Sequence, residues 1–409
     1  MPAAARIASK APSVRGRRAV SACFLLNGAV IASFVPHIPG IKARLTLSDG
    51  QLGWLLLAMG AGAVIALPVA GWLVARVGSR AITTGSATAL SLALVLPVLC
   101  PGVASTAAAL ALLGASNATL DVAMNAQGVL VENAWRRPIM SSFHALYSVG
   151  GLVGAGGAAL AMAGGLSAPS HVTVVAVLSL IAVAMARSSL FPSEPRAAHD
   201  PVFVWPPAAL LGLGGLSFCA LLAEGAMGDW SAVYLRDAVG TTPAFAALGF
   251  ATFSLAMALG RFTGDGLARR LGSSRLLQLS GALAAVGLAA ALLRGTAVVS
   301  LIGFGLVGLG VANLIPILFS AAGRAPGIAP GTGIAAVATT GYVGYLAGPP
   351  LIGVAAEGAG LPAALGIVCA ACAVVAGGAR LVLPSRGVPA ASGHQAAGET
   401  SLTSEATHG

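Results

Sequence analysis

Hydrophobic positions along the chain come in long runs, not in the alternation of about 10 residues that is typical of an outer-membrane barrel strand. Each run is about 20 residues long, which is enough for a helix to cross the hydrocarbon core of a bilayer. Short polar, glycine-rich or proline-rich stretches separate the runs. The pattern predicts an all-α membrane protein with twelve transmembrane helices, near residues 18–39, 51–74, 81–102, 105–128, 142–165, 172–191, 207–234, 243–264, 274–293, 297–320, 332–356 and 361–384.

The composition supports this class of protein. Of the 409 residues, 57% are hydrophobic and only 8% are charged, whereas soluble domains average about 25% charged residues. Only helices and closed barrels satisfy their backbone polar groups in lipid. An aromatic content of 5% argues against a barrel with aromatic girdles, which leaves a bundle of helices.

The net charge of +10 is distributed unevenly. If both termini are cytoplasmic, all but four of the 22 Lys and Arg residues fall on the cytoplasmic side. This bias is the positive-inside rule. It predicts a multi-pass protein of the cell inner membrane and makes the bilayer, not nucleic acid, the partner of the basic residues. The four exceptions are Lys42, Arg44, Arg236 and Arg294.

Two short motifs recur at the same distance along the chain. RVGS at 76–79 returns as RLGS at 270–273, and VG at 149–150 returns as VG at 343–344, each 194 residues later. A shared offset at two separate places predicts a six-helix unit repeated as two parallel halves. The expected organisation is a basic cytoplasmic N-terminus (1–18), two six-helix halves (19–190 and 207–384), a cytoplasmic linker (191–206) and a disordered cytoplasmic tail (385–409).

Polar residues interrupt the fourth predicted span at regular spacing. Asn117, Asp121 and Asn125 are four residues apart and therefore share one narrow stripe of a helix. An ionisable residue within a membrane helix is costly and normally faces a cavity or a partner. We expect Asp121 to lie on the path of a solute or a proton, with both asparagines able to hydrogen-bond the solute or the acid. The alternative is a structural charge pair with Arg76 or Arg80.

Two further spans carry candidate cavity residues. His144 and Tyr147 begin span five and return to the depth of Asp121 if spans four and five form an antiparallel hairpin. In span seven, Glu224 is followed by Asp229 and Trp230, and two acids beside an aromatic ring suit a polar or cationic solute. The alternatives are polar residues at a helix start and interfacial aromatic anchors. The remaining candidates are Asn27 in span one and Asn313 in span ten.

The repeated motif after spans two and eight predicts a cytoplasmic gate. Its arginines can bind the carbonyl groups at helix C-termini and acidic side chains in one conformation and release them in another. Asp265, one turn before Arg269, would supply a negative partner. These arginines could instead be simple topology charges. The predicted gate residues are Arg76, Gly78, Arg80, Asp265, Arg270, Gly272 and Arg275.

The sequence resembles the major facilitator superfamily in three features. These are the GxxxxRxGxR loop at 71–80, the repeat of that loop after span eight, and the two six-helix halves. The resemblance covers residues from about 18 to 385. Within that superfamily, LDVAMNAQG (120–128), FHALYSVGG (143–151), GRFTG (260–264) and GPPLIG (348–353) resemble the fucose-permease-like branch of bacterial inner-membrane transporters.

The resemblance implies that spans one, four, seven and ten line a central cavity, and that the two halves rock to give alternating access. Asp121 matches an acid of fucose permease that is tied to proton coupling and sugar binding. His144 and Tyr147 match polar side chains of its span five. An acid in span one of that permease is matched here by Ala32. The acid usual in the loop motif is replaced by Ala75 in the first copy and by Arg269 in the second.

We therefore expect a secondary active transporter of a small polar solute, proton-coupled and monomeric, without a cofactor or metal. The chain has no GxxxxGK[ST] sequence, which argues against ATP drive within it, and no HExxH or nucleophile elbow, which argues against an enzyme. The alternative is a proton-driven efflux pump for drugs or metabolites. A channel, a membrane sensor and a membrane-embedded enzyme are less favoured.

Overall fold

The computed structural model describes residues 13–136, 139–192, 208–326, 328 and 330–383. Eleven helical segments within them are long and apolar enough to cross a membrane, and Pro330–Ala359 is a further helix of 30 residues. The all-helical membrane class is thereby confirmed. We label the segments α1 to α12 in chain order: Val14–Arg44, Asp49–Val77, Ser79–Leu99, Val103–Trp135, Met140–Ala163, Ala168–Ala186, Ala208–Ala238, Pro243–Leu271, Ser273–Arg294, Ala297–Ala322, Pro330–Ala359 and Leu361–Val382.

The predicted linker and tail lie almost wholly outside the described residues. We refer to residues 13–192 as the first half and to residues 208–383 as the second half. Across the boundary between them, α2 packs against α11 and α5 packs against α8. The end of the bundle at which α2 meets α3 and α8 meets α9 is called the basic end, because Arg76, Arg80, Arg270 and Arg275 lie there.

The first helix begins at Val14, so Arg15, Arg17 and Arg18 lie in its first turns and not before it. Pro36 and Pro39 interrupt the regular α-helix, as proline does within a helix. The α-helix runs to Phe34, tightens into a 3-10 turn and resumes as an α-helix to Arg44. Each proline occupies the first turn of a new segment, where its missing N–H group costs no hydrogen bond.

The helix boundaries repeat with the offset found in the motifs. Ser48 caps α2 by accepting a hydrogen bond from the Gln51 N–H group at 3.1 Å, and Thr242 caps α8 in the same way. Three pairs of helices begin 194 positions apart: Asp49 with Pro243, Ser79 with Ser273, and Val103 with Ala297.

The glycines of the repeated motif form the turns at the basic end. Gly78 separates α2 from α3 with φ of 98°, and Gly272 separates α8 from α9 with φ of 78°. Side chains other than glycine rarely adopt this region, because Cβ is crowded there. Each glycine also donates its N–H group to the last turn of the preceding helix, at 3.0 Å. Both glycines therefore have a backbone role that explains their place in the motif.

Small residues let α1 and α5 pack with their backbones in contact. A Cβ atom on Gly150 would meet the carbonyl oxygen of Leu25, and one on Gly154 would meet that of Ala29. Gly156 and Gly157, one turn further along α5, face open space. The glycine-rich composition of this helix thus serves close packing at some positions and not at others.

Candidate functional site

A cavity of about 90 Å³ lies between the two halves. Helices α1, α2 and α5 line it from the first half, and α7, α8 and α11 line it from the second. Three of the residues expected to line a cavity, Tyr147, Glu224 and Asp229, do share it. Its polar side chains are Tyr147, Ser148, Glu224, Asp229, Ser254 and Tyr345.

Arg261, on α8, connects the two halves beside this cavity. One of its guanidinium nitrogens donates a hydrogen bond to Ser148 Oγ at 3.0 Å, and the other lies 3.7 Å from Glu224 Oε1. The side chains of Arg261 and Glu224 are 23% and 27% exposed. A hydrogen-bonded ion pair would be about 2.7–2.9 Å long. The attraction is therefore electrostatic without a tight bond, and the pair can separate at low cost.

Arg261 is not among the residues predicted from the sequence, because it was grouped with the cytoplasmic topology charges. The signal was nevertheless present in the sequence. Arg261 follows directly on an apolar stretch of span eight, FATFSLAMALG at 250–260, and an arginine within a predicted span is itself a reason to suspect a functional residue.

Asp121 and Asn125 lie together on α4, as their spacing predicted. The side-chain amide of Asn125 donates to Asp121 Oδ1 at 3.1 Å and to the Asp121 carbonyl oxygen at 2.8 Å. Asp121 does not line the cavity between the halves. It is nevertheless within electrostatic range of Tyr147, as are Glu224 and Arg261. Tyr147 thus interacts electrostatically both with the acid of α4 and with the ion pair of the second half.

The expected alternative partners of Asp121 make other contacts. The Arg76 guanidinium lies over the ring of Trp72, 5.3 Å from its centroid. Arg80 donates to the carbonyl oxygens of Arg187 at 3.1 Å and Ser188 at 3.5 Å. Arg80 therefore binds carbonyl groups beyond the C-terminus of α6. Among the ion pairs formed between described side chains, none contains Asp121.

Two of the predicted asparagines leave buried carbonyl oxygens without a hydrogen-bond partner in the described part of the chain, namely Asn27 Oδ1 and Asn117 Oδ1. The amide of Asn27 reaches Met124 Sδ, on α4, at 3.8 Å. An unsatisfied buried acceptor is unfavourable. Both oxygens can therefore gain from a hydrogen-bond donor that enters from outside the chain.

Three predicted cavity residues lie elsewhere. Trp230 is fully buried in the packed core, because its indole ring fills the interior of the second half instead of facing a solute or the membrane interface. Asn313 lies at the break within α10 and donates to the Gly260 carbonyl oxygen at 2.9 Å. The His144 ring packs edge-on against Phe24. Packing and backbone contacts are their observed roles.

The remaining predicted gate residues with charged side chains are Arg270, Arg275 and Asp265. Arg270 and Arg275 line a wide cavity at the basic end of the second half. Asp265 is part of α8, and its side chain lies outside the described part of the structure. A further polar residue near the basic end, Gln127, was not among the predicted residues. Its side-chain amide donates to Ser79 Oγ at 2.8 Å and to the Phe191 carbonyl oxygen at 2.9 Å. This buried amide holds α3, α4 and the end of the first half together.

At the end of the bundle opposite the basic end, polar side chains join the two halves. Lys42 Nζ lies 2.7 Å from a carboxylate oxygen of Asp49 in its own half and 2.7 Å from one of Asp237 in the other. The Ser48 hydroxyl donates to Glu357 on α11. The two halves are therefore joined at this end by one ion pair and one hydrogen bond.

A bundle of apolar helices around a polar cavity defines a multi-pass membrane protein, and the comparisons with known proteins specify its family. Residues 20–208 match the Major Facilitator Superfamily. The chain is 38% identical over 371 residues to an uncharacterized MFS-type transporter of Yersinia pestis, covering 91% of this chain and 97% of that protein. It is also 35% identical over 364 residues to the membrane protein MosC of Rhizobium meliloti, covering 88% of each chain. The chain belongs to the major facilitator superfamily.

The fold agrees with this assignment. The crystal structure of a point mutant of the nucleoside transporter NupG superimposes with a TM-score of 0.71 at 13% identity, covering 90% of this chain and 99% of that one. At this identity the likeness concerns the fold alone. As a membrane transporter of this superfamily, the protein has the lipid bilayer and a small-molecule substrate as partners.

Proposed function

We propose that the protein is a proton-coupled secondary active transporter of a small polar solute and that it works by alternating access. The observation that carries the proposal is the contact of Arg261 with Ser148 across the boundary between the halves, beside Glu224. Any rocking of one half against the other changes this contact. A solute that competes for Arg261 or Glu224 would therefore be coupled directly to the movement.

The proposed topology has twelve transmembrane helices, with α11 as the eleventh, in two parallel six-helix halves. The helix starts 194 positions apart support the repeat. The basic end is assigned to the cytoplasm because lysine and arginine are retained on that side, which places both termini there and the protein in the inner membrane. We propose that the chain works as a monomer and belongs to the fucose-permease-like branch.

The lining of the cavity supports a small polar solute. Carboxylates, hydroxyl groups and one guanidinium group surround the space, so a solute there meets both donors and acceptors. Pockets that hold organic ligands usually measure about 300–1,000 Å³. Since this cavity measures about 90 Å³, the halves must separate to admit the solute. With the Lys42 end closed, the entrance in this state is at the basic end.

Asp121 is the proposed proton-binding group. Its carboxylate receives one side-chain hydrogen bond, from Asn125, and no cation neutralises it among the described residues. It can therefore gain and lose a proton as its surroundings change. The acid of span one that the resemblance associates with a symporter is replaced by Ala32, which lines the cavity. Proton coupling would therefore depend on Asp121, with Glu224 as the second acid.

Transport in proteoliposomes tests the proposal. The purified protein is reconstituted, a proton gradient of either polarity is imposed, and uptake of labelled sugars, polyols, nucleosides and organic amines is followed. We expect one class to accumulate against its gradient in an uncoupler-sensitive manner. Failure of every class to move under both polarities would contradict the proposal.

Asp121→Asn separates proton coupling from solute binding. The substitution keeps the size of the side chain and its hydrogen bonding to Asn125 but removes the titratable group. We expect gradient-driven accumulation to be lost while counterflow exchange, which needs no net proton movement, continues. Loss of counterflow together with poor folding would instead indicate a structural role for Asp121.

One observation favours proton-driven efflux as a second candidate function. Glu224 and Asp229 place two carboxylates in the cavity against the single guanidinium group of Arg261, and such an excess suits a cationic or amine solute. Reversing the proton gradient in the same assay distinguishes import from export. If amines accumulate in vesicles only when the vesicle interior is acidic, the protein is an antiporter.

A further inference from the structure

A second cavity, of about 1010 Å³, lies at the basic end of the second half. It is separate from the cavity between the halves and is formed by the ends of α7, α8, α9, α10 and α12. Four arginines from the ends of these helices line it: Arg270, Arg275, Arg324 and Arg380. All four side chains are exposed, and none of the ion pairs between described side chains involves them.

The rest of the lining divides into a polar and an apolar part. The polar part is the start of α9, with Ser273, Ser274 and Gln278. Helix N-termini present unpaired N–H groups and a partial positive charge to an anion. The apolar part includes the buried side chains of Leu210 and Leu213 on α7. A ligand that fills this space must have an anionic group and an apolar portion.

The internal repeat shows that the fold itself does not require this cluster. At the positions 194 residues earlier, Arg275, Arg324 and Arg380 are matched by Ala81, Leu130 and Ala186, and only Arg270 has an arginine counterpart. The first half also has a cavity at the basic end, of about 890 Å³. There the Arg80 side chain donates to backbone carbonyl groups. Three of the four arginines are thus specific to the second half.

We propose that this cavity binds the headgroup of an anionic phospholipid. The planar guanidinium groups bind phosphate oxygens through paired hydrogen bonds, and basic pockets between membrane helices are suited to anionic headgroups. Inorganic phosphate would leave the leucine wall uncovered and most of the cavity empty. A glycerophospholipid places its phosphate among the arginines and its glycerol and first acyl carbons against Leu210 and Leu213.

Lipid binding to the full-length protein tests the inference. The purified protein is titrated with phosphatidylglycerol or phosphatidylcholine, and bound lipid is counted by native mass spectrometry. We expect phosphatidylglycerol to bind at least tenfold more tightly than phosphatidylcholine. The double variant R324Q/R380Q should weaken phosphatidylglycerol binding about thirtyfold, because each basic residue near an anionic headgroup contributes about fivefold. Inorganic phosphate should weaken lipid binding no more than chloride does at the same ionic strength, because both salts screen the exposed arginines equally.

The matched control is R15Q/R18Q, which removes two exposed arginines from the same end of the bundle but outside the cavity. It should leave lipid binding unchanged. Equal binding of the two lipids, or an equal loss in the control, would overturn the proposal. Displacement by inorganic phosphate beyond that caused by chloride at the same ionic strength would overturn it in favour of a soluble anion. If R324Q/R380Q does not fold, R324K/R380K keeps the charges but loses the paired hydrogen bonds. A severalfold loss then supports the site, and unchanged binding overturns it.

Discussion

Glu224 and Asp229 place two carboxylates in the central cavity, and the charged donor beside them is Arg261. The ion pair is about one quarter exposed, so solvent weakens the attraction between its members. Removing one member still leaves the other in a space with few alternative partners. Under the proposed function, the stability of the cavity and its recognition of a solute depend on the same pair of residues.

We expect Arg261→Gln and Glu224→Gln each to destabilise the protein by about 1 kcal/mol, after allowing for the partial exposure of the pair. The double variant should recover most of this stability, because it leaves no charge of the pair unmatched. Thermal unfolding in detergent measures these changes in stability. Solute uptake should be lost in all three variants if the pair binds the solute.

The control for this series is Arg294→Gln, which makes the same substitution at an exposed arginine at the far end of α9. It should leave both the melting temperature and uptake unchanged. Normal uptake in the double variant would show that the ion pair is structural and that the solute binds elsewhere.

For single residues, contacts within one helix could be predicted from the sequence spacing, whereas contacts between helices could not. The bond from Asn125 to Asp121 follows from residues four apart on α4. The pair formed by Arg261 and Glu224 joins two helices, so no periodicity indicates it. Trp230 was expected near a solute because it follows Asp229. The rotation of α7 instead turns its ring into the core, and that rotation depends on the neighbouring helices.

The positions of the helices could be predicted well from hydrophobicity. A long apolar run has to leave water, and within lipid a helix satisfies its backbone polar groups. The ends of the helices were predicted less well. α4 continues to Trp135 and α8 to Leu271, beyond the apolar runs that predicted them. A helix needs good helix-forming residues, not apolar ones, to continue past the membrane boundary. Hydropathy therefore locates the membrane-spanning part and not the full length of the helix.

The glycines of α5 provide a test of helix packing with its own internal control. Gly150 and Gly154 lie against the backbone of α1, where a Cβ atom would meet a carbonyl oxygen. We expect Gly150→Ala to lower the free energy of unfolding by about 1–3 kcal/mol, because α1 has to move away from α5 to avoid overpacking. Thermal unfolding in detergent measures the change.

Gly156→Ala is the matched control on the same helix, since nothing lies within 4 Å of its Cβ position. Alanine there should raise stability slightly, by about 0.5–1 kcal/mol, because it forms helix more readily than glycine. Equal destabilisation by the two substitutions would show that α1 and α5 do not pack as closely as described.

On the scale of the whole molecule, the two ends of the bundle differ in how they connect the halves. Lys42 with Asp237, and Ser48 with Glu357, join the halves at one end. At the basic end, the guanidinium group of Arg76 stacks on Trp72 within the first half. The contacts at the Lys42 end could not be predicted from the sequence, because the two residues of each contact are about 200 or 300 positions apart. An alternating-access transporter needs this asymmetry, since only one end is open at a time.

Lys42→Gln should therefore shift the protein toward a state that is open at the Lys42 end. Of its two ion pairs, only the one with Asp237 joins the halves. Such a partly exposed pair contributes up to about 1 kcal/mol, so the shift is about fivefold in population. Hydrogen exchange should become faster in residues 42–52 and 353–360 and slower around Gly78 and Gly272.

Arg44→Gln is the control, because Arg44 donates to the carbonyl groups of Pro97 and Val98 within its own half. Faster exchange at both ends in either variant would indicate general destabilisation and not a change in which end is open.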